Sequence, residues 1–181
     1  MNKMIKARLK TIINETVGKL LVIGLNDSSL LSQIKNNDEI ITCDILNNNN
    51  YSKVNYENNS GKTKNIDLKN IRKIFGHKKL NKIICDYQHV EGYLKTFVKD
   101  SIFITNDSVV IYGDLSSAAC DSLVEKYRRY HVEAEIEKSG NYQMIIFKVG
   151  SNKTNIIKDR YYYICDSFKE VGEIISDILV G

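Results

Sequence analysis

The sequence contains no proline and no long apolar run. We interpret the missing proline, together with the abundance of asparagine, lysine and isoleucine, as a compositional bias of the source. Because no apolar stretch reaches about 18 residues, a transmembrane helix is not expected. The N-terminal residues are basic at first but never develop a continuous apolar core, which argues against a signal peptide.

Cysteine is scarce, and its spacing does not suit metal binding. Cys43, Cys85, Cys120 and Cys165 form no C-x-x-C motif and have no neighbouring pair of histidines, so no zinc site is expected. Three of them precede an aspartate within apolar runs, which is typical of buried, reduced thiols near strand ends. Reduced thiols in turn favour a cytoplasmic location.

The overall composition is that of a globular protein. With 181 residues, of which 43% are hydrophobic and 27% are charged, the chain suits one domain with a full core. The net charge of +4 is modest and does not by itself predict nucleic-acid binding. Basic residues that alternate with tyrosines near residues 126–130 would suit RNA, but solvated helix faces are the commoner explanation.

Residues 19–46 carry the most informative pattern, a strand, a polar turn, a short helix and a second strand. Apolar residues 20–25 predict a buried strand with Gly24 near its end, and the second apolar run closes with Asp44. Backbone N–H groups at the start of a helix face an anion or a polar tail, while a strand-end acid accepts hydrogen bonds from ribose hydroxyls. The pattern predicts half of a nucleotide site. The alternative is an ordinary βαβ unit with a solvated acid.

Predicted helices and strands alternate along the rest of the chain. Residues 47–64 are expected to form an exposed loop, with a short strand around residues 51–56 as an option. Residues 132–137 and 142–149 are expected to pair as an antiparallel hairpin. Helical spacing predicts an amphipathic N-terminal helix and further helices over residues 67–75, 90–99 and 117–130; strands are expected over residues 82–86 and 108–112.

This order predicts an α/β fold, a Rossmann-like three-layer sandwich whose mostly parallel sheet ends in an antiparallel hairpin. Residues 1–150 are expected to form the Rossmann domain with its N-terminal helix. Residues 151–181 are expected to form a C-terminal strand–helix appendage of the same domain. This appendage would cover the sheet, cover the site, or pair two subunits as a homodimer.

The order of elements resembles that of class I S-adenosylmethionine-dependent methyltransferases, whose seven-stranded sheet closes with such a hairpin. The resemblance covers residues 1–149 and lies in the pattern more than in sharp motifs. The family carries an acid and then Gly-x-Gly-x-Gly at the first strand, which correspond here to Val22, Gly24, Asn26 and Ser28. Only Gly24 is retained, and Ser28 is a candidate cap for the following helix.

The resemblance implies S-adenosylmethionine as the cofactor and assigns residues to it. Gly24 and Asn26 would lie against its methionine portion, since asparagine also reaches the left-handed backbone region. Asp44 matches the acid that binds the ribose hydroxyls, and Asp67 resembles the acid that lies near the adenine amino group. Val22 lacks the carboxylate expected to bind the cofactor's ammonium group.

The predicted catalytic residues are Asp86, Tyr87 and His89, which follow the strand where the family places residues facing the methyl acceptor. Asp86 or His89 would take a proton from an oxygen or nitrogen nucleophile, and Tyr87 would stack on a planar acceptor. The alternative is a solvated strand-end acid, a packing tyrosine and a surface histidine.

Two functions therefore remain open. The first is a cytoplasmic methyltransferase that acts on a small molecule, a protein or an RNA, which the acids Asp44 and Asp67 favour. The second is an inactive methyltransferase-like module for binding or assembly, which the changes at Val22, Asn26 and Ser28 favour. A nicotinamide dehydrogenase fits less well, because the glycine pattern and the terminal hairpin both differ from that family.

Overall fold

The computed structural model of the protein describes residues 3–25, 27, 29–30, 40–45, 53–57, 63–76, 79–128, 132–150 and 168, with the backbone alone for 40–45, 53–57 and 63–66. The chain divides into two compact units, Met1–Gly150 and Ser151–Gly181. The elements below belong to the first unit. Except for Phe168, the predicted C-terminal strand and helix lie outside the described residues.

The first unit contains α-helices on both sides of one sheet. The α-helices that lie fully within the described residues are α1 (Lys3–Asn14), α2 (Ile71–Phe75), α3 (Leu94–Ile104) and α4 (Ser117–Arg128). The strands are β1 (Leu20–Ile23), β2 (Ile40–Ile45), β3 (Lys53–Glu57), β4 (Thr63–Asp67), β5 (Leu80–Asp86), β6 (Thr105–Gly113), β7 (Glu133–Ser139) and β8 (Tyr142–Lys148). None of the helices within these described ranges is long and apolar enough to cross a membrane.

The described strands form one sheet in the order β4-β3-β2-β1-β5-β6-β8-β7. Strand β1 pairs in parallel with β2 and β5, and β5 pairs in parallel with β6. Strand β3 is antiparallel to its two neighbours, and β8 is antiparallel to β6 and β7. Because only β3 and β8 run against the others, the predicted mostly parallel sheet that ends in an antiparallel hairpin is confirmed.

Two apolar clusters cover the two faces of this sheet. Helix α1 presents apolar side chains at helical spacing, Ile5, Leu9, Ile12 and Ile13, to one face, where they pack with Leu20 and Val22 of β1 and with other strands. Helices α3 and α4 cover the other face, to which the alternate residues Leu21 and Ile23 belong. The three-layer architecture is therefore as predicted.

The optional strand around residues 51–56 is present as β3, but the prediction of a loop over the rest of residues 47–64 was wrong where β4 begins. These strands are polar and form one edge of the sheet, so the apolar alternation that usually marks a strand is weak. Backbone pairing with β2 and within the hairpin positions them. The helix predicted over residues 90–99 instead begins at Leu94, after two 3₁₀ turns, and ends at Ile104.

The direction of chain progression reverses between β1 and β5. From β1 the chain proceeds to β2, β3 and β4 on one side, and β5 to β8 follow on the other side of β1. At such a switch point the connections leave the carboxyl ends of the two strands in opposite directions, which opens a crevice suited to a ligand.

The central strands should carry most of the stability of this unit. Ile84 of β5 is fully buried, whereas Ile74 of α2 is 45% exposed. We expect Ile84→Ala to lower the free energy of unfolding by about 2–5 kcal/mol, through lost burial and a residual cavity. The matched Ile74→Ala change should cost less than about 1 kcal/mol. Urea denaturation of both variants tests this, and equal losses would contradict the assigned burial.

Candidate functional site

The end of β1 and the turn after β5 meet at Gly24 and His89. Gly24 has a φ of +72°, a backbone conformation that residues other than glycine rarely adopt. A Cβ atom on Gly24 would lie 2.0 Å from Cδ2 and 2.2 Å from Nε2 of His89. The imidazole therefore rests on the Gly24 Cα, and both the backbone conformation and the contact require glycine.

Asp86 ends β5 and begins the turn that carries Tyr87 and His89. Its Oδ1 accepts a hydrogen bond of 3.1 Å from the Gln88 backbone N–H and thereby caps this 3₁₀ turn. Burial raises the pKa of Asp86 above its usual value, although the Gln88 N–H and the nearby His89 oppose the shift. A carboxyl group with a raised pKa at the mouth of a crevice is a candidate for proton transfer.

His89 is buried, with only 3% of its surface exposed, so the alternative of a surface histidine is wrong. Its carbonyl accepts a hydrogen bond of 2.8 Å from the Tyr93 hydroxyl. The Nδ1 atom is buried and has no hydrogen-bond partner within the described part of the chain. Burial lowers the pKa of His89 below its usual value, with the Asp86 carboxylate opposing, which favours the neutral imidazole.

The end of β6 completes the crevice. The Tyr112 hydroxyl donates to the Gly24 carbonyl at 3.5 Å, and burial raises the pKa of Tyr112, so the phenol keeps its proton. A Cβ atom on Gly113 would lie 3.0 Å from Cβ of Tyr87 and 3.4 Å from Oδ1 of Asp86. Sequence reasoning missed these two β6 residues, although a glycine directly after an apolar run was an available signal.

Tyr87 is half-buried and packs against the apolar cluster beneath α3 and α4. Burial, and then the charge and hydrogen bond of Glu91, raise the pKa of the Tyr87 hydroxyl. Part of the ring is therefore engaged by the protein itself, and stacking on an acceptor stays a prediction for its exposed part.

Asp27 caps the helical residues that follow β1. Its Oδ1 accepts hydrogen bonds from the Ser29 N–H at 3.1 Å, the Ser29 hydroxyl at 2.7 Å and the Leu30 N–H at 3.3 Å. Its Oδ2 lies 2.7 Å from Nζ of Lys6 on α1. The Lys6 ammonium, followed by the Ser29 hydroxyl, lowers the pKa of Asp27 to about 2. Two N–H groups at this helix start are thus already bonded to a carboxylate of the protein.

Of the remaining predicted cofactor residues, only some can be placed relative to this crevice. Asn26 and Ser28 lie outside the described residues, and so does the side chain of Asp44. The Asp44 backbone lies near the carboxyl end of β2, one residue beyond Cys43, which pairs with Ile23. The backbone position suits the predicted ribose contact, which stays a prediction.

Asp67 lies at the same edge of the sheet but farther from Gly24. Strands β2 and β3 separate β4 from β1, which corresponds to about 14 Å of sheet. Its carboxylate accepts hydrogen bonds from the Lys69 N–H at 3.0 Å and the Asn70 amide at 3.2 Å, which confirms the predicted N-cap. The adenine contact stays a prediction.

The crevice thus combines a glycine turn, a carboxyl group with a raised pKa and a neutral histidine. Val22, where the family carries an acid, is 1% exposed and packs in the apolar cluster beneath α1. Among the described residues, no group of three or more His, Cys, Asp or Glu side chains could hold a metal ion. The arrangement suits binding of a polar ligand with proton transfer at Asp86.

No protein-family model matches the chain. An intermembrane lipid transfer protein, vps13E, of Dictyostelium discoideum is 25% identical over 122 residues, which span 59% of this chain but 3% of that protein. The chain also matches solved structures, three of which are described next.

The first is an O-methyltransferase family protein from Burkholderia thailandensis, with a TM-score of 0.46, 6% identity, and coverage of 82% of this chain and 57% of that chain. The second is provisionally described as a ribosomal RNA methyltransferase from Plasmodium falciparum, with a TM-score of 0.45 and 15% identity. The match covers 83% of this chain and 96% of that chain. A human methyltransferase 10 domain containing protein gives a TM-score of 0.39 with 10% identity, over 83% of this chain and 80% of that chain. The fold assignment rests on the strand order and pairing described above.

Alanine substitutions at three glycines separate the two requirements at Gly24. Gly140 shares a positive φ of +62° but has no atom within 4 Å of an added Cβ, and Gly92 has neither constraint. We expect Gly140→Ala to cost about 1–2 kcal/mol, and Gly24→Ala to cost roughly 1–3 kcal/mol more because of the clash with His89. Gly92→Ala should be near neutral. Chemical denaturation measures all three.

A double variant isolates the clash from the backbone strain. We expect His89→Ala to lower the free energy of unfolding less in the Gly24→Ala background than in the parent protein. In that background, removal of the imidazole also gives room to the added Cβ. Additive losses would show that the imidazole does not rest on Gly24.

The depressed pKa of Asp27 makes its contribution to stability dependent on pH. A carboxylate stabilised in the folded state contributes above its ordinary pKa of 3.8, and this contribution is lost as the pH falls towards about 2. Asp27→Asn should therefore destabilise the protein at pH 5 and cost much less at pH 2.5. Urea midpoints at the two pH values measure the difference, and the exposed Asp121→Asn serves as the control. A loss independent of pH would contradict the assigned charge interaction.

Proposed function

We propose that the protein binds S-adenosylmethionine at the carboxyl ends of β1, β2 and β5 and transfers its methyl group to an acceptor beside Asp86 and His89. The observation that carries this proposal is the convergence of Gly24, Asp86 and His89 at the switch point of the sheet. A doubly wound sheet offers its ligand crevice at this point, and the order of the strands resembles that of the methyltransferase family.

The occupied N–H groups at the helix start after β1 support a sulfonium ligand over a phosphorylated one. A dinucleotide needs free N–H groups at the helix start for its phosphates. Here the Ser29 and Leu30 N–H groups are already bonded to Asp27, whose carboxylate is paired with Lys6. This helix start therefore has fewer donors to offer a phosphate.

The residues present fit this cofactor in part. Asp44 would accept hydrogen bonds from the ribose hydroxyls, and the Gly24 backbone would face the amino-acid end. Val22 offers no partner for the ammonium group, and the His89 imidazole fills the space directly on Gly24. Binding close to Gly24 therefore requires the His89 ring to move.

Chemistry at the site would need little beyond orientation. When bound, the cofactor supplies an electrophilic methyl group on a sulfonium. Asp86, with its raised pKa, would accept the proton of an oxygen or nitrogen nucleophile, and Tyr87 would orient a planar acceptor. Holding the nucleophile in line contributes most of the rate in such transfers.

The second candidate function is an inactive module with the same fold, used for binding or assembly. The specific observation in its favour is the contact between the His89 imidazole and Gly24, together with the apolar Val22. In this case the glycine is retained for packing within the protein and not for a ligand.

Calorimetric titration with S-adenosylhomocysteine and with NAD⁺ tests the proposal. We expect S-adenosylhomocysteine to bind with a micromolar Kd, about −8 kcal/mol, and NAD⁺ to bind far more weakly. Asp44→Ala should weaken binding without loss of the cooperative melt, and Asp121→Ala, on α4, is the control. His89→Ala should strengthen binding, because the ring no longer competes for the space on Gly24.

The outcomes separate the two functions. If S-adenosylhomocysteine binds neither to the parent nor to His89→Ala at millimolar concentration, the cofactor proposal is refuted and the inactive module is favoured. Preferential binding of NAD⁺ would refute the inference that the helix start capped by Asp27 disfavours a phosphate.

A further inference from the structure

A second cavity lies at the opposite edge of the sheet, away from the crevice at the carboxyl ends of β1 and β5. Its volume is about 620 Å³, within the range of pockets for small molecules. One wall is formed by Arg8 and Ile12 of α1 and by Glu15, which directly follows this helix. The floor is the sheet itself. The cavity does not depend on the function proposed above.

The floor is one row of side chains across four adjacent strands. Lys82 of β5 pairs with Ser108 of β6, Ser108 pairs with Lys148 of β8, and Lys148 pairs with Glu133 of β7. Residues paired directly across strands point to the same face of a sheet. All four line the cavity. The row therefore presents an ammonium, a hydroxyl, a second ammonium and a carboxylate in that order.

Ser108 is the most informative member of this row. It is 6% exposed and lines the cavity, yet its hydroxyl forms no hydrogen bond with any described residue. Although the residue as a whole is nearly buried, its hydroxyl is open to the cavity, where a ligand or water can bond to it. Lys82 and Lys148 flank it on both sides, so the three groups form a set of donors for one anionic group.

The acids around the cavity prevent it from being a simple anion site. Asp107 lies 3.3 Å from Nζ of Lys82, and Glu135 pairs with Lys148. Glu15 and Glu133 also line the cavity, and neither forms an ion pair within the described part of the chain, although the raised pKa of Lys148, which is due first to Glu135, has a smaller contribution from the charge of Glu133. Glu15 and the remaining hydrogen-bonding capacity of Glu133 are available for a cation.

The charges of the lining nearly balance. Three cationic side chains line the cavity with four acids: Arg8, Lys82 and Lys148 against Glu15, Asp107, Glu133 and Glu135. Arg8 also lies 2.8 Å from Glu137, which is outside the lining. Neither a pure anion nor a pure cation is matched by such a surface, whereas a ligand that carries both charges is. The apolar side chains Ile12, Ile146 and Val149 provide a surface for an aliphatic group.

We propose that this cavity binds a zwitterionic α-amino acid with an aliphatic side chain. Its carboxylate would accept hydrogen bonds from Ser108, Lys82 and Lys148. Its ammonium would lie against Glu133 and Glu15, and its side chain would pack on Ile12 and Ile146. Lys148 and Glu133 are paired across adjacent strands, which are about 4.8 Å apart, so neighbouring members of the row can meet the carboxylate and the ammonium of a single small molecule.

Titration of the full chain with L-leucine and two analogues tests this assignment. In 4-methylpentanoate the ammonium is absent, and in 3-methylbutylamine the carboxylate is absent, while the aliphatic group is kept. We expect L-leucine to bind roughly tenfold more tightly than either analogue, because each analogue leaves a charged set without its partner. Equal binding of the three compounds, or tighter binding of one analogue, would overturn the proposal.

Two variants with matched controls locate the binding. Ser108→Ala should weaken L-leucine binding roughly tenfold by removing a donor to a carboxylate, whereas Ser122→Ala on α4 should not. Glu133→Gln should weaken binding of L-leucine but leave that of 4-methylpentanoate unchanged, and Glu125→Gln is its control. Melting curves establish that each variant is folded. Unchanged affinity in folded Ser108→Ala, or no binding of L-leucine to the parent at millimolar concentration, would overturn the proposal.

Discussion

The burial of β1 on both faces is the constraint on which the rest of the unit depends. Its four residues, Leu20–Ile23, are all buried and divide alternately between the two apolar clusters. A strand that serves both clusters lies in the interior of a sheet that is covered on both faces, as is typical of mostly parallel sheets. The chain continues from β1 to β2 on one side and returns to β5 on the other, which creates the switch point and with it the crevice at Gly24.

The carboxyl edge of the sheet shows how this chain uses its strand-end acids. Asp27, Asp67 and Asp86 each accept a hydrogen bond from the backbone N–H two residues later. Each therefore holds its own turn in place before any ligand arrives. A ligand at this edge would meet preorganised turns whose backbone N–H groups are already bonded, which leaves fewer donors for a phosphate.

The sequence predicted the fold well where apolar periodicity was strong and failed where backbone pairing alone decides structure. The runs of β1, β5 and β6 and the hairpin of β7 and β8 were recognisable from their apolar residues. Strand β4, with the sequence TKNID, was not, because an edge strand can be polar on both faces.

Within the candidate site, the sequence placed Gly24 and the segment from Asp86 to His89 at strand ends that the structure brings together. It did not reveal the contact of His89 with Gly24, since a long-range contact leaves no local pattern. Tyr112 and Gly113 were missed for the same reason: their importance arises from the neighbouring strand β5 and the turn that follows it. The capping role of Asp27 was available from its position two residues before Ser29.

The two edges of the sheet differ in how their charges are matched, and the ligands proposed for them differ accordingly. At the carboxyl edge, acids bond to backbone N–H groups, and Lys6 is the cation that pairs with Asp27. At the amino ends of β5 and β6, Lys82 is nearly buried and opposes Asp107, so acids and bases face each other across a cavity. Lys82 and Asp86 are four residues apart on the extended β5, about 13 Å. The two proposed ligands would therefore fit at opposite edges together, and because β5 contributes to both sites, each would stabilise the same central strand.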